Sequence, residues 1–126
     1  MSTLTGMSVS VSVDDLREEV ARVGSTAFAL TAGADGHPHV VSVAVSWDGD
    51  RLTFAAGNTT RGNVAANPRT SLLWSALDGE DYSLIVDGAG EVRDDIVEVA
   101  PDRAVLHRLA DAAGDGPSCV KILPPG

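Results

Sequence analysis

The spacing of hydrophobic and polar residues along the chain predicts mostly extended structure. It is clearest from His39 to Trp47, where valines and the tryptophan occupy one face and small or polar residues the other. A period of two is typical of a strand that packs its bulky face on a core. Further strands are predicted at residues 25–31, 52–56, 69–74, 82–92, 96–100 and 104–109, with a short terminal strand at 119–123. A turn at Pro101-Asp102 separates two of these strands. The predicted fold class is mostly β, an antiparallel barrel of about six strands with two short helices.

The first helix is amphipathic. It is predicted to begin at Ser12, whose side chain and that of Asp15 can form a capping box, and to end at Gly24. Its apolar face carries Leu16, Val20 and Val23. Such a helix would lie on the barrel, and nothing in it indicates catalysis.

The second helix follows the strand at 52–56 and a turn at 57–60. It is predicted from Arg61 to Asn67, with Thr60 as its N-cap and Pro68 after its end. The free N–H groups and the dipole at such a helix start favour an anion. The hydroxyls of Thr59 and Thr60 and the Arg61 guanidinium would complete a phosphate site. On spacing alone, the alternative is that Thr60 only caps the helix and Arg61 is a solvated charge.

Composition narrows the classes of function. The 126 residues are enough for one domain, predicted at 12–126 after a disordered tail at 1–11. The formal net charge of −9, with Lys121 as the single lysine, argues against binding nucleic acid or an anionic membrane surface. No membrane span or signal peptide is predicted. A single cysteine, Cys119, fits a reducing cytoplasm, and the Ala/Gly/Arg-rich usage is typical of a GC-rich bacterial genome.

Three other groups of residues have side chains that could support chemistry. His37 and His39 lie on the same side of an extended segment, but no third ligand is near in sequence, so solvated histidines at a hairpin tip are favoured over a metal site. His107 and Cys119 could form a nucleophile pair, although a structural thiol beside a surface histidine is favoured. The acidic stretch 78–81 is predicted to be a solvated turn. No metal site and no catalytic residue are predicted.

The segment from 57 to 74 resembles the pyridoxamine 5′-phosphate oxidase-like family, the FMN-binding split barrels. Residues 63–69, Asn-Val-Ala-Ala-Asn-Pro-Arg, match the Asn-Leu-x-x-Asn-Pro-Arg helix of that family and stand between similar strands. The resemblance covers about residues 13–109. It implies a split barrel and a homodimer that holds FMN at the interface between its subunits.

The resemblance also implies which residues would contact the cofactor. The phosphate loop would comprise Thr59, Thr60, Arg61 and Asn63. Near the ring or the ribityl chain would lie Ser42, Ala44 and Ser46, and backbone groups would come from Ala55, Ala56 and Gly57. Arg61 and Arg69 are the stronger anion candidates because cations are scarce in this chain.

The implied function is an oxidoreductase that uses FMN, or a deazaflavin, for hydride transfer to an unknown small molecule. Val41 and Ser46 stand where true pyridoxamine phosphate oxidases carry an arginine and a lysine, so oxidation of vitamin B6 is not expected. The alternative is a non-catalytic flavin- or metabolite-binding barrel that has lost tight cofactor binding. Dimerisation is also expected because a short chain with small strand residues buries only a modest core.

Overall fold

The computed structural model describes residues 13–108 and the backbone of 119–121. The predicted tail at 1–11, the Ser12 cap and the Cys119 side chain lie outside the described residues. The helices are α1 (Val13–Val23) and α2 (Asn58–Ala66). The strands are β1 (Thr26–Ala32), β2 (Pro38–Ala44), β3 (Ser46–Asp48), β4 (Arg51–Ala55), β5 (Arg69–Trp74), β6 (Ser83–Arg93), β7 (Ile96–His107) and β8 (Cys119–Lys121).

All the strands join one antiparallel sheet in the order β2-β1-β5-β6-β7-β4-β3, and β8 pairs with β7 beside this path. The mostly β, split-barrel prediction with two helices is confirmed, with eight strands instead of about six. The helix predicted before the first strand is confirmed as α1. Its residues Leu16 and Val20 are buried, and Gly24 follows its end with a φ of 95°. Among the described residues, neither helix has the length and apolar character needed to cross a bilayer.

The long strand predicted from His39 to Trp47 is divided at Val45. Before the break β2 pairs with β1, and after it β3 pairs with β4, so the two halves join opposite ends of the sheet. The Val45 N–H donates to the Ser25 carbonyl, 2.7 Å away, and holds the corner. Because one segment of chain serves both ends, the sheet must curl, and this produces the barrel.

The strands predicted at 96–100 and 104–109 are one strand, β7, so the turn predicted at Pro101-Asp102 is wrong. Along β6, Gly88 pairs with Pro101 and the preceding residue pairs with Arg103, which leaves Asp102 as the extra residue of a β-bulge. A bulge tolerates proline because it interrupts the ladder of hydrogen bonds. Gly88 is required at the same place, since a Cβ there would lie 2.3 Å from the Ala100 carbonyl oxygen.

Helix α2 begins earlier than predicted. It starts at Asn58, its N-cap is Gly57 without a side-chain hydrogen bond, and Thr60 lies inside the first turn. The predicted turn at 57–60 and the cap role of Thr60 are therefore wrong. The physical reason is tertiary packing: Thr60 and Val64 lie four residues apart on one helical face, and both are 2% exposed. Burial of that face decides where the helix begins, and the preference of threonine for the cap position does not.

Candidate functional site

An open cleft of about 310 Å³ lies at the seam of the barrel, where β2 approaches β4. Three elements form its walls: the edge strand β2, the end of β4 with the two residues that follow it, and the first turn of α2. Its lining residues are His39, Val41, Ser42, Val43, Ala55, Ala56, Gly57, Asn58, Thr59 and Thr60. Clefts of this size and mixed polarity are typical of small-molecule sites.

Most of the residues that the sequence nominated meet in this cleft. Six of the ten line it, namely Ser42, Ala55, Ala56, Gly57, Thr59 and Thr60. The other four, Ala44, Ser46, Arg61 and Asn63, are not among its described lining residues. Ala44 and Ser46 are exposed on either side of the corner at Val45. Apart from His39, the lining residues of the cleft are small and uncharged.

The start of α2 presents hydrogen-bond donors to the cleft. The first intrahelical bond runs from the Arg61 N–H to the Gly57 carbonyl, 3.0 Å away. The N–H groups of residues 58–60 precede it and have no partner within the helix. Gly57 provides no side-chain cap, and a Cβ added there would meet no protein atom within 4 Å. This end of the helix is thus open and electropositive, which favours an anion.

The Thr60 side chain is the unusual group at this helix start. The residue is 2% exposed and lines the cleft, yet its hydroxyl makes no hydrogen bond within the described part of the chain. The hydroxyl is not one of the buried polar atoms that lack a partner, so it is accessible from the space of the cleft. The group is therefore available to a polar atom of a ligand in the cleft.

Arg61, by contrast, is held against the protein itself. Its Nε donates to the Gly57 carbonyl at 3.3 Å, one terminal nitrogen donates to the Asp94 carbonyl at 3.2 Å, and the other donates to the Asn58 side chain. These bonds fasten the loop before α2 to the β6–β7 turn. In this arrangement Arg61 holds the loop that forms one wall of the cleft, and it is not among the described lining residues.

Asn63 also braces the helix. Its Nδ2 donates to the Thr31 hydroxyl on β1 at 3.1 Å, and its Oδ1 lies 3.1 Å from the position that a Cβ on Gly33 would take. A larger residue at 33 would crowd this contact. The resemblance implies an asparagine here within the phosphate loop, and the structure places its side chain between α2 and β1.

Arg69 has an acidic partner on the neighbouring part of the sheet. Its two terminal nitrogens donate to the Asp102 carboxylate at 2.6 and 3.0 Å. These hydrogen bonds and the positive charge hold the pKa of the Asp102 carboxyl below its ordinary value. Arg69 is thus engaged in an ion pair at the β6–β7 bulge and is not among the described residues of the cleft.

His39 is one of four lining residues that the sequence did not nominate; the others are Val41, Val43 and Asn58. It was interpreted with His37 as a solvated hairpin residue, but His39 is half-buried and lines the cleft, whereas His37 is exposed. Alternation along the strand carried the signal, because His39 shares its face with Val41 and Val43. Within the described part of the chain, no three His, Cys, Asp or Glu residues are grouped to hold a metal ion.

The second histidine hypothesis concerned His107 and Cys119. Their backbones are direct cross-strand partners in β7 and β8, so the structure brings the two positions together. His107 is exposed, and the Cys119 side chain lies outside the described residues. The pair is not part of the cleft at the start of α2.

Two mycobacterial sequences are similar to this chain. Uncharacterized proteins of Mycobacterium bovis and Mycobacterium tuberculosis are each 38% identical over an alignment of 99 residues, and the match covers 73% of this chain and 61% of the relative. The chain therefore spans less than two thirds of the length of the curated relatives that it matches. No protein-family model matches the chain.

Solved structures share the fold at low sequence identity. An F420 reductase is 23% identical with a TM-score of 0.50, covering 61% of this chain and 86% of its own. A protein of the pyridoxinephosphate oxidase family from Clostridium acetobutylicum, related to general stress protein 26, is 14% identical with a TM-score of 0.59, covering 78% and 91%. A heme-binding protein from Mycobacterium smegmatis is 15% identical with a TM-score of 0.63, covering 90% and 58%. The chain thus has the split-barrel fold of the pyridoxine phosphate oxidase-like proteins, and the resemblance drawn from the sequence is confirmed at that level.

Proposed function

We propose that this chain is a member of the pyridoxamine 5′-phosphate oxidase-like family and binds FMN or a deazaflavin in the cleft at the start of α2, as an oxidoreductase acting on a small molecule. The shared fold supports the family, and the F420 reductase among the similar structures supports the class of cofactor. The observation that carries the proposal is the Thr60 hydroxyl, which lies at the wall of this cleft and makes no hydrogen bond within the described part of the chain.

The residues of the cleft fit the phosphate end of such a cofactor by donor type. The N–H groups at the start of α2 and the hydroxyls of Thr59 and Thr60 would donate to phosphate oxygens. Ser42 on β2 and the backbone of residues 55–57 would hold the polyol chain or the edge of the ring. A bound flavin or deazaflavin would supply hydride transfer, while the protein orients it and limits the access of water. The proposal assigns no general acid or base.

Titration with FMN and with an F420-type deazaflavin, followed by fluorescence, tests the proposal. We expect saturable binding by the purified protein at micromolar concentration. Thr60→Val should weaken it about five- to tenfold, the value of one hydrogen bond. Thr70→Val is the matched control, because Thr70 is also 2% exposed but its hydroxyl donates to the Pro68 carbonyl outside the cleft. If the protein binds neither FMN nor the deazaflavin, the proposal is refuted.

A second candidate function is a binding module that holds a cofactor or metabolite without turnover. It is favoured by one observation: none of the described residues that line the cleft is lysine or arginine. The F420 reductase and the heme-binding protein share this fold, so the fold is compatible with catalysis and with binding without turnover. Reoxidation of the photoreduced flavin complex by a quinone distinguishes the two. A rate above that of free reduced flavin supports the enzyme, and an equal or lower rate supports the module.

We propose further that the protein is a homodimer with the cofactor at the subunit interface. The sheet carries what we call the outer apolar face, formed by Phe28, Leu30, Val40, Leu73 and Ile85 on the side opposite the core. Phe28 is 40% and Val40 is 55% exposed. Ser42 of the cleft is the cross-strand partner of Phe28, so the cleft borders this face. We also propose that the protein is cytoplasmic, as the single cysteine leads us to expect.

A further inference from the structure

We propose that His39 supplies the positive charge that recognises the phosphate, or another anionic group, of the ligand in this cleft. The inference rests on the proposed function, since it concerns the same cleft, and it identifies a specificity-determining residue that neither the motif nor the resemblance indicates. His39 enters the cleft from β2, and the unpartnered Thr60 hydroxyl and the free N–H groups of α2 enter it from the opposite wall. These three kinds of donor converge on one space.

The other cations that the sequence favoured are engaged elsewhere. Arg61 is hydrogen-bonded to the Gly57 and Asp94 carbonyls, and Arg69 is paired with Asp102. Among the described residues that line the cleft, His39 alone has a side chain that can become positively charged. An anion in the cleft would therefore find its cationic partner in the His39 imidazole.

The described residues that face His39 across the cleft carry no charge that would compete with it for an anion. Its cross-strand partner on β1 is Thr31, and the facing residues of β4 and α2, 55–60, are uncharged. On its own hairpin the titratable neighbours are Asp35 and His37. Asp35 accepts a hydrogen bond from the His37 N–H at 3.0 Å, which places that carboxylate in the turn. A bound anion favours the charged form of a nearby imidazole, so recognition of the anion through His39 should be stronger at pH 6 than at pH 8.

The chain offers a matched control in His37, an exposed histidine two residues away that does not line the cleft. The experiment measures the affinities for FMN and for riboflavin, which lacks the phosphate, at pH 6 and pH 8. We expect His39→Asn to weaken FMN about five- to tenfold at pH 6, less at pH 8, and to leave riboflavin unchanged, because a charge-assisted hydrogen bond is lost. His37→Asn should change neither ligand. His39→Lys should restore FMN binding at both pH values.

The phosphate of FMN also titrates in this range, but it does so equally for all variants, and comparing them removes that effect. Equal losses for FMN and riboflavin in His39→Asn, or no loss, would overturn the proposal. If the protein does not bind FMN, inorganic phosphate decides for His39, and the proposed function fails only if the deazaflavin does not bind either. A saturable phosphate-dependent shift of the His39 ring signals in NMR, absent for His37, supports the proposal. Equal or absent shifts of both rings overturn it.

Discussion

The hydroxyl of Thr60 is placed for a ligand more than for the fold. Thr60 packs beside Val64 on the buried face of α2, where a methyl group would fill the same volume as the hydroxyl. The hydroxyl lines the cleft and is not one of the buried polar atoms that lack a partner. Its loss should therefore affect a ligand in the cleft more than the stability of the free protein.

Replacing that hydroxyl should therefore leave the stability of the free protein nearly unchanged. We expect Thr60→Val to change the free energy of unfolding by less than about 0.5 kcal/mol, because the shape is kept and no hydrogen bond within the described part of the chain is lost. Thr70→Val should lower it by about 1 kcal/mol, since a hydrogen bond to the Pro68 carbonyl is lost. Urea denaturation of both variants measures the difference. Equal destabilisation would mean that the Thr60 hydroxyl is satisfied in the free protein.

Two glycines should respond in opposite directions to the same substitution. Gly88→Ala should destabilise the protein by about 2 kcal/mol or more, because the new methyl would lie 2.3 Å from the Ala100 carbonyl oxygen and 2.8 Å from Val99. Gly62→Ala should stabilise it by about 0.5–1 kcal/mol, since Gly62 is inside α2 and its missing Cβ would meet no neighbour within 4 Å. Thermal unfolding of both variants tests this, and a tolerated Gly88→Ala would contradict the bulge geometry.

At the scale of the elements, the β6–β7 pair carries the main irregularity of the sheet. The bulge leaves Asp102 opposite no residue of β6, and Arg69 at the start of β5 binds it with two hydrogen bonds. A bulge increases local twist, and here the ion pair joins the strands on either side of β6. The pair lies at the surface, with side chains 57% and 38% exposed, so its contribution to stability is small.

The pH dependence of this ion pair follows from the direction of its pKa shift. The hydrogen bonds from Arg69 lower the pKa of Asp102 in the folded state, so its stabilisation is present above the unfolded pKa of about 3.9 and is lost as the pH falls through the folded value. Asp102→Asn should cost less than about 1 kcal/mol at pH 7 and nothing near pH 2. Urea denaturation at both pH values measures it. A loss that persists at low pH would show that the side chain acts through the bulge geometry and not through its charge.

At the scale of the whole molecule, the open questions concern the outer apolar face and the cleft beside it. A single barrel leaves Phe28 and Val40 in contact with water across from a well-buried core. Large exposed apolar patches on soluble domains usually mark an interface. A second copy would cover this face and would also reduce the openness of the cleft that borders it.

Dimerisation can be tested with a pair of matched substitutions. Phe28→Glu should give a monomer in sedimentation velocity and weaken flavin binding, because a charge would be buried against the partner. Val92→Glu is the control, since Val92 is 39% exposed, much like Phe28 at 40%, but lies at the far end of β6 beside the β6–β7 turn. A wild-type protein that is monomeric at high concentration would refute the dimer and, with it, a cofactor site shared between subunits.

Local patterns in the chain were sufficient for the type and order of most elements. Alternation placed Val43 and Val45 in the core, helical spacing placed Leu16 and Val20 there, and Gly24 marked the end of α1, because side-chain period and backbone freedom are local properties. Four residues of the motif at 57–69 line the cleft, and their role in holding a cofactor stays a prediction. Local patterns failed where distant strands compete for the same residues: at Val45, where one strand divides between two partners, and at Pro101-Asp102, where a turn signal becomes a bulge.

Only the tertiary structure decided what each polar side chain does. Residue type nominated Arg61 and Arg69 as anion ligands, but carbonyls from the β6–β7 turn and a carboxylate from the bulge engage them. Residue type also made Thr60 a cap and His39 a surface residue, whereas packing buries the first and turns the second into the cleft. The reason is physical: a hydrogen bond or an ion pair depends on which groups meet across a sequence separation of thirty residues or more, as for Arg61 and Asp94, and neither period nor composition encodes that distance.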